Sequence, residues 1–232
     1  MTALVELGAR WDLDPGQVAQ LARVLELLAD DETAPTSVRP PAAVDVHIAD
    51  SLSALQLDCV RGAGAIADLG SGAGFPGIVL AIALPRASVA LVESAARKCV
   101  FLEALATTAG VANARVVCAR AEEWRDGLAA HDLVVARALA RLDVVCEYAA
   151  PLLAVGGSLV AWKGSVSDGE AEAAARAAKL LGLVADRTVR SEPYSGSVAH
   201  HLHVFRKTQE TPAAFPRRTG VAAKRPIGSP DR

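Results

Sequence analysis

The sequence is poor in aromatic residues and in cysteine, and it has no long apolar run. Aromatic residues make up 4% of the 232 residues and hydrophobic residues 52%, so small and aliphatic side chains must form most of the core. No stretch reaches the roughly 18 uninterrupted apolar residues that a membrane-spanning helix requires. The first ten residues contain Glu6 and no basic start before an apolar block, so we expect no signal peptide and a cytoplasmic protein.

The four cysteines are widely spaced and include no Cys-x-x-Cys pair; they are Cys59, Cys99, Cys118 and Cys146. Zinc sites and the disulfide frameworks of small secreted domains normally show closer and more regular spacing. We therefore expect buried free thiols and no metal site.

Charge is distributed unevenly along the chain, whose net charge is −2. Residues 207–232 contain two acidic residues and six basic ones, which are Lys207, Arg217, Arg218, Lys224, Arg225 and Arg232. The balance of +4 in this tail leaves −6 for the remainder of the chain. An acidic body with a basic arm is typical of proteins that bind nucleic acid, although charge alone fits a solvated, disordered tail equally well.

The hydrophobic pattern predicts an N-terminal helical segment followed by an α/β body. Asp14-Pro15-Gly16-Gln17 has the residues of a capped helix start, and a second helix is predicted over 44–57. From Ala65 onward, short apolar runs alternate with helical patterns, which predicts a doubly wound, mostly parallel sheet. The predicted strands cover 65–69, 89–92, 115–118, 133–136, 158–162, 184–189 and 202–205, the fifth being entered through a Gly156-Gly157 turn. We assign residues 1–60 to a helical cap, 61–207 to the α/β domain and 208–232 to a basic tail.

A glycine-rich loop follows the first predicted strand. Gly70, Gly72 and Gly74 allow a tight turn and a close approach of the backbone to a ligand. The carboxyl ends of parallel strands are where such sheets bind ligands. Because Gly72-x-Gly74-x-x-Gly77 also matches the dinucleotide fingerprint, an NAD-linked oxidoreductase is one interpretation of this loop.

Charged residues follow the strands around this loop. Asp68 favours a ligand with a cationic amine, such as the methionine end of S-adenosylmethionine, whereas Glu93 suits the ribose hydroxyls of either cofactor. Ala121-Glu122 follow the third strand, where a backbone amide and a carboxylate can contact the edge of an adenine. Arg137 follows the fourth strand, where the methyl group would be transferred. Taken singly, Glu122 is better explained by a helix start and Arg137 by a surface ion pair.

Several segments occur in the order found in one known family. They are His47-Ile48-Ala49-Asp50-Ser51-Leu52, the loop ending in Phe75-Pro76-Gly77-Ile78, Glu93-Ser94, Arg120-Ala121-Glu122, Ala136-Arg137-Ala138, Lys163-Gly164, Phe215-Pro216-Arg217-Arg218 and Lys224-Arg225-Pro226. Over roughly residues 44–227 the chain resembles the family of ribosomal RNA small subunit methyltransferase G, also called glucose-inhibited division protein B. The resemblance implies a class I S-adenosylmethionine-dependent methyltransferase fold with an N-terminal helical cap, acting as a monomer.

The resemblance also implies a reaction and a set of site residues. The reaction is methylation of N7 of a guanine in 16S ribosomal RNA, either as free RNA or in the assembling small subunit. By resemblance the cofactor contacts are Gly70, Phe75, Ala121, Glu122 and Arg137, to which the strand-end pattern described above adds Asp68, Gly72, Gly74 and Glu93. The expected catalytic basic residues are Arg120, Arg137 and Lys163, and the expected RNA contacts are Arg120, Lys163, His200, Arg217, Arg218, Lys224 and Arg225. His200 departs from the family, some members of which have arginine before the His-Leu pair of the last strand.

The expected chemistry needs no general base, because N7 of guanine has a lone pair and no proton. The sequence has no Asn- or Asp-Pro-Pro-aromatic motif of amino-group methylases and no Pro-Cys nucleophile of pyrimidine C5 methylases. Phe75 or Trp162 is a candidate for stacking on a base, with core packing as the alternative for Trp162. A non-catalytic RNA-binding relative with the same fold is a third interpretation, beside the methyltransferase and the oxidoreductase.

Overall fold

The computed structural model describes residues 2–229, which form three layers around one seven-stranded sheet. The spatial order of the strands is β3-β2-β1-β4-β5-β7-β6, with β1 to β5 parallel and β7 antiparallel to both of its neighbours. This confirms the predicted fold class. The strands are β1 (Ala65–Leu69), β2 (Ser88–Glu93), β3 (Ala114–Cys118), β4 (His131–Arg137), β5 (Leu153–Lys163), β6 (Leu183–Ser191) and β7 (His200–Lys207).

The α-helices are α1 (Thr2–Trp11), α2 (Pro15–Asp30), α3 (Asp50–Leu52), α4 (Asp58–Arg61), α5 (Gly77–Ala83), α6 (Ala96–Ala109), α7 (Leu142–Ala149), α8 (Asp168–Leu180) and α9 (Val221–Lys224). The start of α2 confirms the predicted capping box, because the Asp14 side chain accepts a hydrogen bond from the Gln17 amide at 2.9 Å and the Gln17 side chain accepts one from the Asp14 amide at 2.8 Å. In the described residues 2–229, no helix is both long and apolar enough to span a membrane.

The N-terminal helices and the sheet share one hydrophobic core. The apolar side of α2 is buried with residues of α5, α6 and β1 in the same cluster. Gln17 reinforces this contact, because its side-chain amide donates to the carbonyl of Ile82 at 2.7 Å. Burial of a leucine stabilises a fold by roughly 1.5–3 kcal/mol, so the helices 2–30 contribute directly to the stability of the α/β body. The predicted boundary at residue 60 therefore runs between N-terminal helices and a sheet that share one hydrophobic core.

Two segments differ in detail from the expectation. Residues 44–56 are helical as predicted, but the helix is irregular: a π-helical turn (Val44–Ala49) and a 3₁₀ turn (Ser53–Gln56) flank the short α3. The fifth strand begins at Leu153, so Gly156-Gly157 is an irregularity within β5 and the predicted turn there is wrong. Gly157 has no room for a side chain, because a Cβ would lie 2.9 Å from the Asp132 carbonyl oxygen.

The C-terminal segment packs against the body up to Ser229, whereas Asp231 and Arg232 lie outside the described residues. Phe215 and Ile227 contact the hydrophobic cluster beneath α7 and α8, and Ala222 is buried. Residues 208–229 therefore pack on the body at several points and do not form a detached, fully solvated tail.

Candidate functional site

A cavity of about 330 Å³ opens at the carboxyl edge of the sheet. The register brings the ends of β1, β2 and β4 together, since Leu69 lies opposite both Val92 and Ala136. The residues lining the cavity are Leu69, Gly70, Val92, Glu93, Ser94, Lys98, Ala119, Arg120, Ala121, Glu122, Ala138, Leu139 and Tyr148. Four predicted cofactor residues, Gly70, Glu93, Ala121 and Glu122, thus lie together. The volume falls within the range of small-molecule sites.

The glycine loop gives this cavity its shape at the end of β1. Gly70 has φ +68°, and a Cβ built on it would lie 2.7 Å from the Leu139 Cδ1 atom, so only glycine fits without a shift of Leu139. Gly72 and Gly74 also have positive φ, but neither lines the cavity. Their contribution is to the path of the turn that carries the chain from β1 into α5.

Asp68 lies beneath the loop and does not reach the cavity. Its side chain is fully buried, and its Oδ2 atom accepts a hydrogen bond from the Gly77 amide at 3.0 Å. Burial raises the pKa of Asp68 to about 6, against the opposing effect of hydrogen bonds from Ser71 and Gly77. Through Oδ2, Asp68 holds the loop to the start of α5, whereas its Oδ1 atom has no hydrogen-bond partner within the described residues. Its contact with a ligand amine stays a prediction.

Glu93 links the loop to the second strand. Its Oε2 atom accepts from the Gly72 amide at 3.1 Å, and its Oε1 atom accepts from the amides of Ser94 and Ala95 at 2.8 and 2.9 Å. An ionised carboxylate has about four acceptor positions, so these three bonds orient Glu93 and leave it room for a hydroxyl donor. Lys98 lies 3.8 Å from Oε2 and adds charge at the same rim.

A second cavity, of about 480 Å³, adjoins the first at Ala138, which lines both. It is lined by the ends of β4, β5 and β7, and it includes Arg137, Trp162, Lys163 and His200 among its residues. Ala138 and Ala199, which also lines this cavity, both have positive φ, of 54° and 55°. Non-glycine residues with positive φ cluster at functional sites, and here two occur in the walls of one cavity.

Asp50 organises the charged side chains of the second cavity. Its Oδ2 atom accepts from Arg137 at 2.8 Å and its Oδ1 atom lies 3.1 Å from Nδ1 of His200. Its backbone oxygen accepts from the indole of Trp162 at 3.1 Å. Asp50 is itself only 4% exposed, and such a buried carboxylate needs paired partners of this kind.

Arg137 is held toward the second cavity by the irregular helix. It donates to the Val46 carbonyl at 2.9 Å, to Asp50, and to Nδ1 of His47 at 3.2 Å. The structure therefore places Arg137 apart from the residues that line the first cavity. Of its five N–H groups, three have these partners, and the other two have no protein partner within residues 2–229.

His47 and Phe75 form a stacked pair behind Arg137. Their ring centroids are 4.3 Å apart, and the Arg137 guanidinium lies 5.7 Å from the Phe75 ring. Burial and the positive charge of Arg137 lower the pKa of His47 to about 4, so the imidazole is neutral. Because Phe75 is 5% exposed and Trp162 is buried, the structure shows both rings as packing residues.

The remaining predicted RNA contacts fall into two groups. Lys163 lines the second cavity and forms an ion pair with Glu170 at 2.9 Å, while the exposed Arg120 lies at the rim of the first cavity. In the tail, Arg218, Lys224 and Arg225 are exposed. Arg217 instead forms a bidentate ion pair with the buried Glu147, and Lys207 is buried as well, so neither presents a free charge at the surface.

Sequence reasoning missed Tyr148, His47 and Asp50 as site residues. Tyr148 lies on α7, a helix that no pattern predicted, and it lines the first cavity. His47 and Asp50 stood in a recognised motif, but their link to Arg137 crosses about 90 residues of sequence and only the fold brings them together.

The geometry fits an adenosine-bearing cofactor in the first cavity. Gly70, which presents no side chain to the cavity, the Glu93 carboxylate at the end of β2 and the backbone at Ala121 suit such a ligand. Fold and site together define a class I methyltransferase. Solved structures with this fold include a SAM-dependent O-methyltransferase from Thermotoga maritima, with a TM-score of 0.57, 15% identity and coverage of 81% of this chain and 72% of that one. A TehB-like SAM-dependent methyltransferase from Corynebacterium glutamicum has a TM-score of 0.52 and 20% identity, covering 71% of this chain and 89% of that one.

Sequence comparison is more specific than the fold. Residues 19–195 match the family model described as rRNA small subunit methyltransferase G, so the chain belongs to this family. A ribosomal RNA small subunit methyltransferase G from Rubrobacter xylanophilus is 39% identical over 81% of this chain and 74% of that protein. One from Syntrophomonas wolfei subsp. wolfei is 40% identical over 81% of this chain and 87% of its own length.

Proposed function

We propose that this chain transfers a methyl group from S-adenosylmethionine to N7 of a guanine in 16S ribosomal RNA. The observation that carries the proposal is the pair of cavities that meet at Ala138, in a chain of this family. The first cavity takes the cofactor and the second takes the target base, so that the methyl group passes at their common wall.

On the cofactor side, each residue that lines the first cavity contacts a different part of the cofactor. Glu93 accepts a hydrogen bond from a ribose hydroxyl, and Ala121 and Glu122 lie along the edge of the adenine. Gly70 allows the cofactor to lie against the backbone at the end of β1. When bound, S-adenosylmethionine supplies an electrophilic methyl group on a sulfonium, and these residues only hold and orient it.

On the RNA side, the work of the protein is orientation and charge placement. N7 attacks through its own lone pair, so no side chain has to remove a proton. The two unpartnered N–H groups of Arg137 and the Lys163 ammonium can donate to the guanine carbonyl or to phosphates. The guanine ring becomes positively charged as the sulfonium loses its charge. The Arg137 and Lys163 side chains should therefore contact the guanine carbonyl or phosphate oxygens and not N7 or the ring itself.

The wider RNA contact involves exposed basic residues around both cavities. We assign phosphate contacts to Arg120, Arg218, Lys224 and Arg225, and a contact to His200 at the wall of the second cavity. The proposed partner is 16S RNA, free or in the assembling small subunit, and we propose a monomer that acts in the cytoplasm.

The test uses the purified chain with S-adenosylmethionine labelled in its methyl group. Small subunits from a strain lacking the gene, and the naked 16S RNA extracted from them, serve as substrates. We expect label at N7 of one guanine, detected by chain cleavage specific for N7-methylguanine, and none on subunits from the parent strain. Label on another atom or on protein, or an unchanged N7 methyl in the deletion strain, would refute the proposed substrate.

The same preparation separates the other two interpretations. Tight binding of NADH without binding of S-adenosylhomocysteine would support an oxidoreductase. Binding of RNA without methyl transfer to any form of the substrate would support a non-catalytic relative.

A further inference from the structure

The C-terminal segment passes beside the cofactor cavity and contacts Glu122, which lines it, and Glu147, which precedes the lining residue Tyr148. We call residues 215–228 the C-terminal strap. The Gly220 amide donates to Oε1 of Glu122 at 3.0 Å, and the Thr219 hydroxyl donates to Oε1 of Glu123 at 2.6 Å. Glu122 lines the first cavity, so the strap fixes a residue that faces the cofactor.

A second contact reaches the cavity through α7. Arg217 donates from Nε and from a terminal nitrogen to the two carboxylate oxygens of Glu147, which is 2% exposed. The next residue along α7, Tyr148, lines the same cavity. Arg217 also donates to the carbonyl of Arg225 at 2.9 Å, which closes the strap on itself.

The strap is seated closely on the body at its far end. The carbonyl of Gly228 accepts from Nε of Arg176 at 3.0 Å. A Cβ on Gly228 would lie 2.1 Å from the Ala173 carbonyl oxygen, so the strap packs directly on the backbone of α8. Phe215 and Ile227 add apolar contacts at the two ends.

We infer that the strap is part of the cofactor site and that Arg217 is a positioning residue for it. Arg217 fixes the position of Tyr148 through Glu147, and the Gly220 amide fixes the position of Glu122. Tyr148 and Glu122 together form the adenine side of the cavity. The inference rests on the proposed placement of the cofactor. The inference gives the two adjacent arginines different roles. Arg217 forms the ion pair with Glu147, whereas Arg218 is exposed at the surface, where RNA can bind.

The physical reason is the cost of an unpaired buried charge. A buried ion pair contributes little net stability, but removal of one partner is strongly unfavourable for the other. Without Arg217, the Glu147 carboxylate would have to turn toward solvent, and α7 would move with it. Tyr148 and the wall of the cavity are therefore coupled to the position of the strap.

The test compares Arg217→Met with the matched variant Arg218→Met. For R217M we expect the dissociation constant of S-adenosylhomocysteine, measured by calorimetry without RNA, to rise about tenfold. The KM for S-adenosylmethionine should rise in parallel, while kcat at saturating cofactor changes little. For R218M we expect unchanged affinity for S-adenosylhomocysteine and weaker RNA binding.

Two further variants protect the test against simple unfolding. The double variant E147Q/R217Q leaves no unpaired buried charge and should fold. It should still bind S-adenosylhomocysteine as weakly as R217M does, because the bidentate contact is gone. Gly228→Ala should displace the strap without a change of charge and give the same rise in the dissociation constant. If R217M or E147Q/R217Q is folded and binds S-adenosylhomocysteine within twofold of the parent chain, the inference is wrong. Failure of the parent chain itself to bind this ligand would instead contradict the proposed function.

Discussion

At the scale of single residues, the second cavity is organised by one buried carboxylate. Asp50 binds Arg137 and His200 through separate oxygens, and its carbonyl binds Trp162. Each of these partners comes from a different strand of the sheet. The arrangement fixes the direction of the Arg137 guanidinium before any substrate is bound, which reduces the ordering cost at the moment of reaction.

Replacement of Arg137 tests this orientation. We expect Arg137→Met to lower the single-turnover rate of methyl transfer by at least about 100-fold at saturating cofactor, because two directed donors are lost. The measurement uses labelled cofactor and excess enzyme. Since the buried Asp50 carboxylate loses its charged partner and keeps only His200, D50N/R137M is the control: it should recover thermal stability without recovering the rate. A recovered rate in this double variant would mean that Arg137 acts only on the fold.

The buried imidazole of His47 predicts a dependence of stability on pH. Its pKa is about 4 in the folded chain and ordinarily 6.5, so between these values the unfolded state binds more protons. The free energy of unfolding should therefore fall as the pH is lowered from 6.5 to 4, by up to roughly 3 kcal/mol. Urea unfolding of the parent chain and of His47→Asn at several pH values measures this term.

The difference between the two proteins isolates His47 from the other groups. Burial also lowers the pKa of His131, which acts in the same direction, whereas the raised pKa of Asp68 acts in the opposite direction between about 3.8 and 6. Both are common to parent and variant. Equal pH dependence in the two proteins would show that His47 titrates normally in the folded chain.

At the scale of elements, the turn from β1 to α5 determines the cofactor site. Gly77, the first residue of α5, packs directly against side chains of β1 and β2. A Cβ at this position would be 2.4 Å from Cδ2 of Leu91 and 2.5 Å from Oδ2 of Asp68. The hydrogen bond between Asp68 and the Gly77 amide depends on this close approach.

Gly77→Ala should therefore damage both stability and binding. We expect a loss of about 1–3 kcal/mol in the free energy of unfolding, as for other overpacked sites, and a clear loss of affinity for S-adenosylhomocysteine. Gly169→Ala in α8 is the matched control, because a Cβ there meets nothing within 4 Å. It should stabilise the chain by a few tenths to about 1 kcal/mol and leave binding unchanged. Normal affinity in a folded G77A chain would contradict the role given to this turn.

The elements differ in how far the sequence predicts them. The central strands were predicted well because both faces are buried, which gives short apolar runs between turn signals. Helix α7 was missed: its valines and tyrosine suit a strand as well as a helix, and its packing against α8 decides between the two. The irregularity of residues 44–56 was also beyond prediction, since the contact of Arg137 with Val46, His47 and Asp50 shapes that turn.

The site shows the same division between local and distant information. Gly70, Glu93 and the pair Ala121-Glu122 were predicted because each follows a strand directly, and strand ends meet in a parallel sheet. Tyr148, which also lines the cavity, lies on a helix that was not predicted, and the strap that contacts Glu122 and Glu123 is 96 to 98 residues away from them in sequence. No local pattern encodes such a contact.

At the scale of the whole molecule, a weakly acidic chain has to approach a polyanion. Its net charge is −2, so attraction must come from the local arrangement of cations and not from the total. The strap brings Arg218, Lys224 and Arg225 to the body beside the cofactor cavity, instead of leaving them on a free arm. We propose that the strap thereby holds this positive charge close to the cofactor cavity, where the Gly220 amide meets Glu122.

This arrangement predicts the salt dependence of RNA binding. Each phosphate contact contributes about 0.7 to the slope of log Kobs against log salt concentration for single-stranded RNA, so the triple variant R218Q/K224Q/R225Q should lower the slope by about 2. The slope is measured by filter binding of a 16S RNA fragment with S-adenosylhomocysteine present. Arg86→Gln is the control, because Arg86 is exposed in the turn before β2, at the opposite edge of the sheet from the site, and its loss should leave the slope unchanged. An equal effect of R86Q, or an unchanged slope in the triple variant, would mean that RNA binds elsewhere on the molecule.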